Sequence, residues 1–395
     1  LRRPGQTTRW QAYGREPVTF DRQTVTAGPG AAGDSLVYLG EVDLYPRTTD
    51  NQTFRLAVPA AANMTESRDD VLDAMERASN DLAVGERDSS IFVVAAPTEG
   101  VPWAVRGLSI GDSDFWVGAD ERLATTDNIW VHEYVHTRQE YDPTTTTRWT
   151  KEGFASYYAA RQALQYQSVT FEEFAAAMNA STTRSTSATL ADPATWDNLT
   201  AYRRGALVAG QFDRRIHRTS DDGATIDAVV ASMNADTDTV NASEFFDAVA
   251  AAGNESVRES MRPAVYTNQS VAMWNRSQHV AAFGPLPGRV VYGLPRGVDP
   301  GDYRVRGPYR NASLAGNDDF TLVTGESIVV QGRVSNVGNA TGYYDVSLRV
   351  NDTVVDSADG EVSGGNVREV PLSHTFARPG VYEIGVGNDT ATVTV

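Results

Sequence analysis

Between residues 18 and 60, apolar and polar positions alternate in short runs such as "SLVYLGEVDLY" and "TFRLAVP", broken by Gly, Pro, Asp and Asn clusters. This alternation predicts β-strands. The period then changes. In "SRDDVLDAMERASNDL", residues 67 to 82, Val71, Leu72, Met75 and Ala78 recur at helical spacing. "IFVVAAP" and "FWVG" predict short strands on either side of "RGLSIGDSD". From Thr126 to about Gly253 helical patterns dominate: the histidine-bearing segment, "KEGFASYYAARQAL", "FEEFAAAMN", "AYRRGALVAGQFDRRI", "IDAVVASM" and "EFFDAVAAA". Several of them follow Thr, Ser or Asp, residues suited to cap a helix start. Further helix is expected to about Trp274.

Residues 284 to 317 hold five prolines and seven glycines and predict a linker. Beyond Asp318 only strand patterns occur: "SIVVQGRVSN", "YYDVSLRVN", "VREVPLSHTF", "VYEIGVG" and "TATVTV", separated by turn-forming "NVGN", "SADG", "SGGN" and "ARPG". A small β-sandwich is expected at 318–395. It resembles the immunoglobulin-like or adhesion-related modules that follow enzymes in archaeal and bacterial surface proteins. The fold class expected for the whole is α+β, with a β-rich segment at 1–60 and a mainly helical domain at 61–283.

Charge narrows the partners. The formal net charge is −17, and Lys151 is the only lysine among 34 basic residues. So acidic a surface repels polyanions, which argues against nucleic acid and anionic membranes as partners. Acidity, near absence of lysine and many threonines together resemble proteins of salt-loving archaea, whose self-repulsion relaxes when molar salt shortens the screening length to about 3 Å. With no cysteine, disulfides and thiolate metal sites are ruled out. Twelve Asn-x-Ser/Thr sequons, among them Asn51, Asn198, Asn254, Asn311 and Asn388, suit a glycosylated, exported protein, although Asn- and Thr-rich chains also generate sequons by accident. No apolar run approaches the roughly 18 residues of a membrane-spanning helix. The chain starts at Leu1 and stops on "TATVTV", so removal of a signal peptide or an anchor is an expectation, and with it an extracellular or cell-surface location.

The candidate chemistry lies in "HEYVH", residues 132 to 136, in a chain with five histidines. Residues four apart share a helix face, so His132 and His136 can offer both imidazoles to one ion, with Glu133 at the edge of the same site. A catalytic zinc site takes three protein ligands and leaves one position open. Downstream, "RWTKEGFASYYAA" places Glu152 in the first turn of a helix that Thr150 could cap, which makes Glu152 the candidate third ligand.

"HEYVH" followed by "WTKEGFASYY" resembles the gluzincin metallopeptidases, the thermolysin-like superfamily that includes aminopeptidase N and the glycyl aminopeptidases, whose motif is His-Glu-x-x-His then Trp-x-x-Glu-Gly-x-Ala. The resemblance implies a gluzincin-like catalytic domain at 61–283, Zn2+ held by His132, His136 and Glu152, Glu133 as general base, and peptide or protein substrates. "LTAYRRGALVAGQFD" resembles the Tyr-x-Lys-Gly helix start of that family, which implies that Tyr202 supports the oxyanion, with Arg204 replacing the lysine. Two departures stand out. Fifteen residues separate His136 from Glu152, where the aminopeptidases typically have 18. The glutamate that binds a substrate's free amine in those enzymes has no counterpart in "RGLSIGDSDFWVG", where Asp112 or Asp114 is a possible substitute out of position. Endopeptidase action is therefore favoured. Two alternatives remain: a non-catalytic surface binding protein on a peptidase scaffold, and a zinc hydrolase acting on a non-peptide bond.

Other residues read as structural. Trp130, Trp149 and Phe154 are expected in the core around the helix pair. His217, His279 and His374 lack helical partners and are expected at the surface or as satisfied structural histidines. Ser156, one turn after Glu152, is within reach of the imidazoles.

Overall fold

The computed structural model describes residues 26–49, 51–180, 188–220, 223–235, 239–296, 299, 301–314 and 319–395. They divide into two compact units, one ending at Phe283 and the other beginning at Gly284.

The first unit opens with a hairpin of β1 (Gly30–Ala32) and β2 (Val37–Leu39). A five-stranded sheet follows, built from β3 (Val42–Thr49), β4 (Gln52–Pro59), β5 (Ser90–Ala96), β6 (Gly107–Ile110) and β7 (Asp114–Gly118), in the order β3-β4-β5-β7-β6. The β4–β5 and β5–β7 pairs are parallel, and β3 and β6 are antiparallel edges. The expected boundary at residue 60 is therefore corrected: β3 and β4 share a sheet with strands up to residue 118, because β4 needs β5 as its partner. The part of the expected β-rich segment before residue 26 lies outside the described residues. "RGLSIGDSD", the stretch between two predicted strands, carries a third, β6, whose four residues are too few to show a period.

Helix α1 (Arg68–Asp81) runs over the sequence that predicted it; Ser67 caps it by accepting from the Asp70 N–H, and Val71, Leu72, Met75 and Ala78 are buried. The remaining helices are α2 (Ile129–His136), α3 (Trp149–Gln165), α4 (Phe171–Asn179), α5 (Thr200–Thr219), α6 (Ile226–Asn234), α7 (Ala242–Ala252), α8 (Glu255–Tyr266) and α9 (Arg276–Phe283). Between α2 and α3 lies β8 (Asp142–Pro143), paired with β9 (Thr239–Val240). Thr170 and Asn241 close capping boxes with Glu173 and Glu244, so polar side chains satisfy the first N–H groups of α4 and α7.

One amide ties the sheet to the helices. Gln52, fully buried on β4, accepts at Oε1 from Ser79 Oγ of α1 (2.9 Å) and from the Tyr134 hydroxyl of α2 (2.8 Å). Its Nε2 donates to the Asp88 carbonyl at 2.8 Å. Trp130, Trp149 and Phe154 are fully buried, as expected. None of the described helices is long and apolar enough to cross a membrane.

The second unit is all β. One sheet joins β10 (Val290–Gly293), β11 (Tyr303–Arg306), β12 (Asn311–Ser313), β14 (Ser327–Asn336) and β17 (Val367–Thr375), with β14 central. The other runs β13 (Asp319–Thr321), β19 (Asp389–Thr394), β18 (Val381–Val386), β15 (Gly342–Val350), β16 (Thr353–Val362). Ile328, Val330, Val334 and Leu372 from the first sheet share one core with Val346, Leu348, Ile384 and Val393 from the second. The buried positions alternate along β14 and β15, as half-buried strands require. Residues 284–317, expected as a linker, instead contribute β10, β11 and β12 to this sheet. These strands are three or four residues long among prolines and glycines, and pairing with β14, rather than a local pattern, makes them strands.

Candidate metal centre

Helix α2 starts where the Asn128 side chain accepts from the Val131 N–H at 3.2 Å, and it presents His132 and His136 one turn apart. Helix α3 brings Glu152 opposite them from its first turn. Thr150 does not cap that helix. It lies inside the first turn, its hydroxyl donating to the Thr147 carbonyl at 2.7 Å, and the helix has no side-chain cap.

The three candidate ligands converge. His132 Nε2 and His136 Nε2 are 3.2 Å apart, and Glu152 Oε2 lies 3.2 Å from the first and 3.3 Å from the second. Ligands about 2.0–2.1 Å from one tetrahedral ion would stand about 3.3–3.4 Å apart, so the triangle fits zinc in size and in donor type. Among the described residues, this is the one group of metal-ligating side chains gathered closely enough to hold an ion.

The surroundings set protonation. Burial pulls the His132 imidazole below its ordinary pKa. Burial pulls on His136 too, but the adjacent Glu152 holds it above. Burial acts to raise the Glu152 carboxyl, yet the two imidazoles bonded to it keep it well below the usual range. Glu133, 7% exposed, is pushed up to about 7, first by burial and further by Glu152, against the opposing pull of His136 and the Ser109 backbone N–H. Edge strand β6 reaches it closely: a Cβ on Gly107 would stand 2.9 Å from Glu133 Oε1.

Helix α5 supplies Tyr202. Its ring stacks on His132, centroids 5.8 Å apart and planes 15° off parallel, while 39% of the residue stays exposed. Burial, then the Glu152 and Glu133 carboxylates, push its hydroxyl up to about 12. Glu152 and Tyr202 both line an open cleft of about 530 Å³, together with Arg148, Lys151, Trp196 and Asp197.

One partner of the imidazoles was not foreseen. Gln139 Oε1 lies 2.9 Å from His136 Nδ1, an orienting contact of the kind that metal-binding histidines use. Its only signal in the sequence is its place three residues after His136. Ser156 Oγ lies 3.5 Å from His132 Nδ1, at the limit of hydrogen-bond reach. Arg204 donates to the Ala264, Thr267 and Gln269 carbonyls at 3.2, 2.9 and 3.0 Å and so closes the end of α8. Asp114 is no free amine anchor: it is buried and accepts the Ser35 and Leu36 N–H groups at 2.6 and 2.7 Å. Asp112 is exposed in the turn between β6 and β7.

Of the remaining histidines, His279 is buried and accepts from Trp274 Nε1 at 3.1 Å. His217 stacks on Phe283, and His374 packs edge-on against Phe376.

No protein-family model matches this chain, and comparison with curated proteins gives no match. Among solved structures it is similar to an M1 zinc metallopeptidase from Deinococcus radiodurans, at 17% identity and a TM-score of 0.47. A variant of that protein bound to the substrate Tyr-Ser-Ala aligns over 68% of this chain at a TM-score of 0.48, and this chain spans 60% of its length. An aminopeptidase N family protein from Idiomarina loihiensis aligns over 86% of this chain and 68% of its own, at 11% identity and a TM-score of 0.44.

Proposed function

We propose that this chain is a zinc-dependent peptidase whose centre is His132, His136 and Glu152. The observation that carries the reading is the near-equilateral triangle of two imidazole nitrogens and one carboxylate oxygen, 3.2–3.3 Å on a side, with Glu133 beside it and Tyr202 stacked on His132. Zinc held there would supply a Lewis acid that acidifies water and polarises a carbonyl. Glu133, with a carboxyl near 7, suits a base that takes the water's proton at its carboxylate and passes it to the leaving amine. The Tyr202 hydroxyl stays protonated at neutral pH and donates to the oxyanion that develops on the substrate.

The finer reading is an extracellular or cell-surface endopeptidase. Its cleft is open, which suits a site that takes internal segments of a chain. Net charge and sequons support an exported glycoprotein of a saline medium, and the two-sheet second unit supports an immunoglobulin-like module.

The test compares wild type with Glu133→Gln on casein and on an internally quenched peptide in molar salt after zinc loading. Loss of about 10²–10⁴-fold in the variant, with zinc retained, is the expected result. Equal and negligible turnover by both proteins would instead mark a binding module.

A further inference from the structure

Gln139 and Lys151 join the ends of the two ligand-bearing helices, and they do so reciprocally. Gln139 Nε2 donates to the Lys151 carbonyl at 3.0 Å, and Lys151 Nζ donates back to the Gln139 carbonyl at 2.5 Å. The remaining amide atom, Gln139 Oε1, faces His136 Nδ1 at 2.9 Å. Gln139 is 4% exposed. The Lys151 ammonium also lies 4.5 Å from the centroid of the Tyr141 ring, and the Tyr141 hydroxyl donates to Thr150 Oγ1 at 3.0 Å.

The direction of these bonds decides a tautomer. An amide oxygen only accepts, so the His136 nitrogen that faces it carries the hydrogen. His136 Nε2 is then left with its lone pair, turned toward His132 Nε2 and Glu152 Oε2. A flipped Gln139 amide would set its NH2 against the imidazole and its oxygen against the Lys151 carbonyl. The second of these contacts pairs acceptor with acceptor, so the Lys151 main-chain carbonyl fixes the amide, while the Lys151 ammonium fixes the Gln139 main chain from which that amide projects.

The ammonium is also the cation that fits. Every other one of the 34 basic residues is an arginine. At this half-buried position a compact group with three donors can meet one carbonyl and one ring face, whereas the planar five-donor fork of arginine would leave N–H groups without partners.

We propose that Gln139 and Lys151 form a clasp that holds His136 in the tautomer able to bind metal and fixes the loop between the two ligand helices, which makes both of them positioning residues of the centre. The inference rests on the zinc reading of the triad, and its test separates the two.

Zinc affinity of the full chain is measured by competition with a chromophoric chelator for wild type, Gln139→Met, Lys151→Met, the double variant, Lys151→Arg and Gln139→Glu. Each Met variant is expected to bind zinc about 10–100-fold more weakly, and the double variant no more weakly than the worse single one, because the pair acts as a unit. Lys151→Arg should stay in the weakened group. Gln139→Glu keeps an acceptor for Nδ1–H but loses the donor to the Lys151 carbonyl, so its affinity should fall between those of wild type and Gln139→Met. Should Lys151→Met fail to fold, Lys151→Arg carries that arm. Single variants that bind like wild type overturn the clasp. So do losses that multiply in the double variant, or losses confined to fold stability with normal affinity in the folded fraction.

A second readout needs no zinc. Histidine ¹⁵N shifts in the metal-free protein, read at a pH high enough that the imidazole is neutral, should show His136 as the Nδ1–H tautomer in wild type and as a mixture in Gln139→Met. An unchanged tautomer overturns the clasp, whereas a wild type that takes up no zinc overturns the zinc reading.

Discussion

Gly153 and Gly205 meet backbone to backbone where α3 crosses α5. A Cβ on Gly153 would stand 2.9 Å from the Gly205 Cα, and one on Gly205 would stand 2.8 Å from the Gly153 Cα. Each glycine adjoins the centre, since Glu152 immediately precedes Gly153 and Tyr202 lies three residues before Gly205. The absence of side chains at this one crossing lets α5 come close enough for the Tyr202 ring to lie on His132.

Substituting alanine for either glycine should therefore cost both stability and rate. Overpacking costs about 1–3 kcal/mol, and the better helix propensity of alanine offsets up to about 1 of that. Urea unfolding midpoints should fall for Gly153→Ala and Gly205→Ala, and peptide turnover should fall further than the unfolded fraction explains. A variant with wild-type midpoint and turnover would contradict the close crossing.

Gly107 separates rate from metal binding. A Cβ there would stand 2.7 Å from Ile129 Cγ2 and 2.9 Å from Glu133 Cγ, so Gly107→Ala should displace Glu133 without touching a ligand. Zinc stoichiometry should stay at one per chain while kcat falls at least about tenfold. Loss of zinc together with rate would show that β6 supports the ligands instead.

Tyr202→Phe keeps the ring on His132 and removes the donor. A fall of about 10²–10³-fold in kcat is expected, with KM and zinc affinity little changed, the pattern of an interaction made only in the transition state. A rise in KM alone would place Tyr202 in substrate binding.

His279 makes stability depend on pH. Burial, then the nearby Arg276, push its pKa down to about 4, against about 6.5 in the unfolded chain. The unfolded chain thus binds the extra proton first. The contribution is present in full above pH 6.5 and is lost as pH falls toward 4, on the order of 3 kcal/mol across the window. His279→Gln, which cannot titrate, should flatten the slope of unfolding free energy between pH 6.5 and 4. Parallel slopes in variant and wild type would refute the assignment.

What the sequence disclosed follows from range. The pairing of His132 with His136 and the place of Glu152 in a first helical turn are set by 3.6-residue periodicity, and both were legible. The alternating strands from Ser327 onward were legible for the same reason, with period two. Strands β6 and β10 to β12 were not, because each is four residues or fewer and depends on a distant partner. Thr150 looked like a cap because threonine suits one, but its hydroxyl bonds backward to Thr147 inside the helix. Asp114 looked available until the loop at residues 33–36, some 80 positions away, proved to occupy it. Gln139 carries no motif at all; only the fold turns its amide toward His136.

Helix α2 has eight residues, too few to persist in water alone. Its rotation is fixed from outside by the hold of Gln52 on Tyr134. The shared face of the imidazole pair is therefore held by the tertiary fold as well as by the helix. A short synthetic fragment spanning HEYVH, free of that packing, should hold its two imidazoles on one face only part of the time.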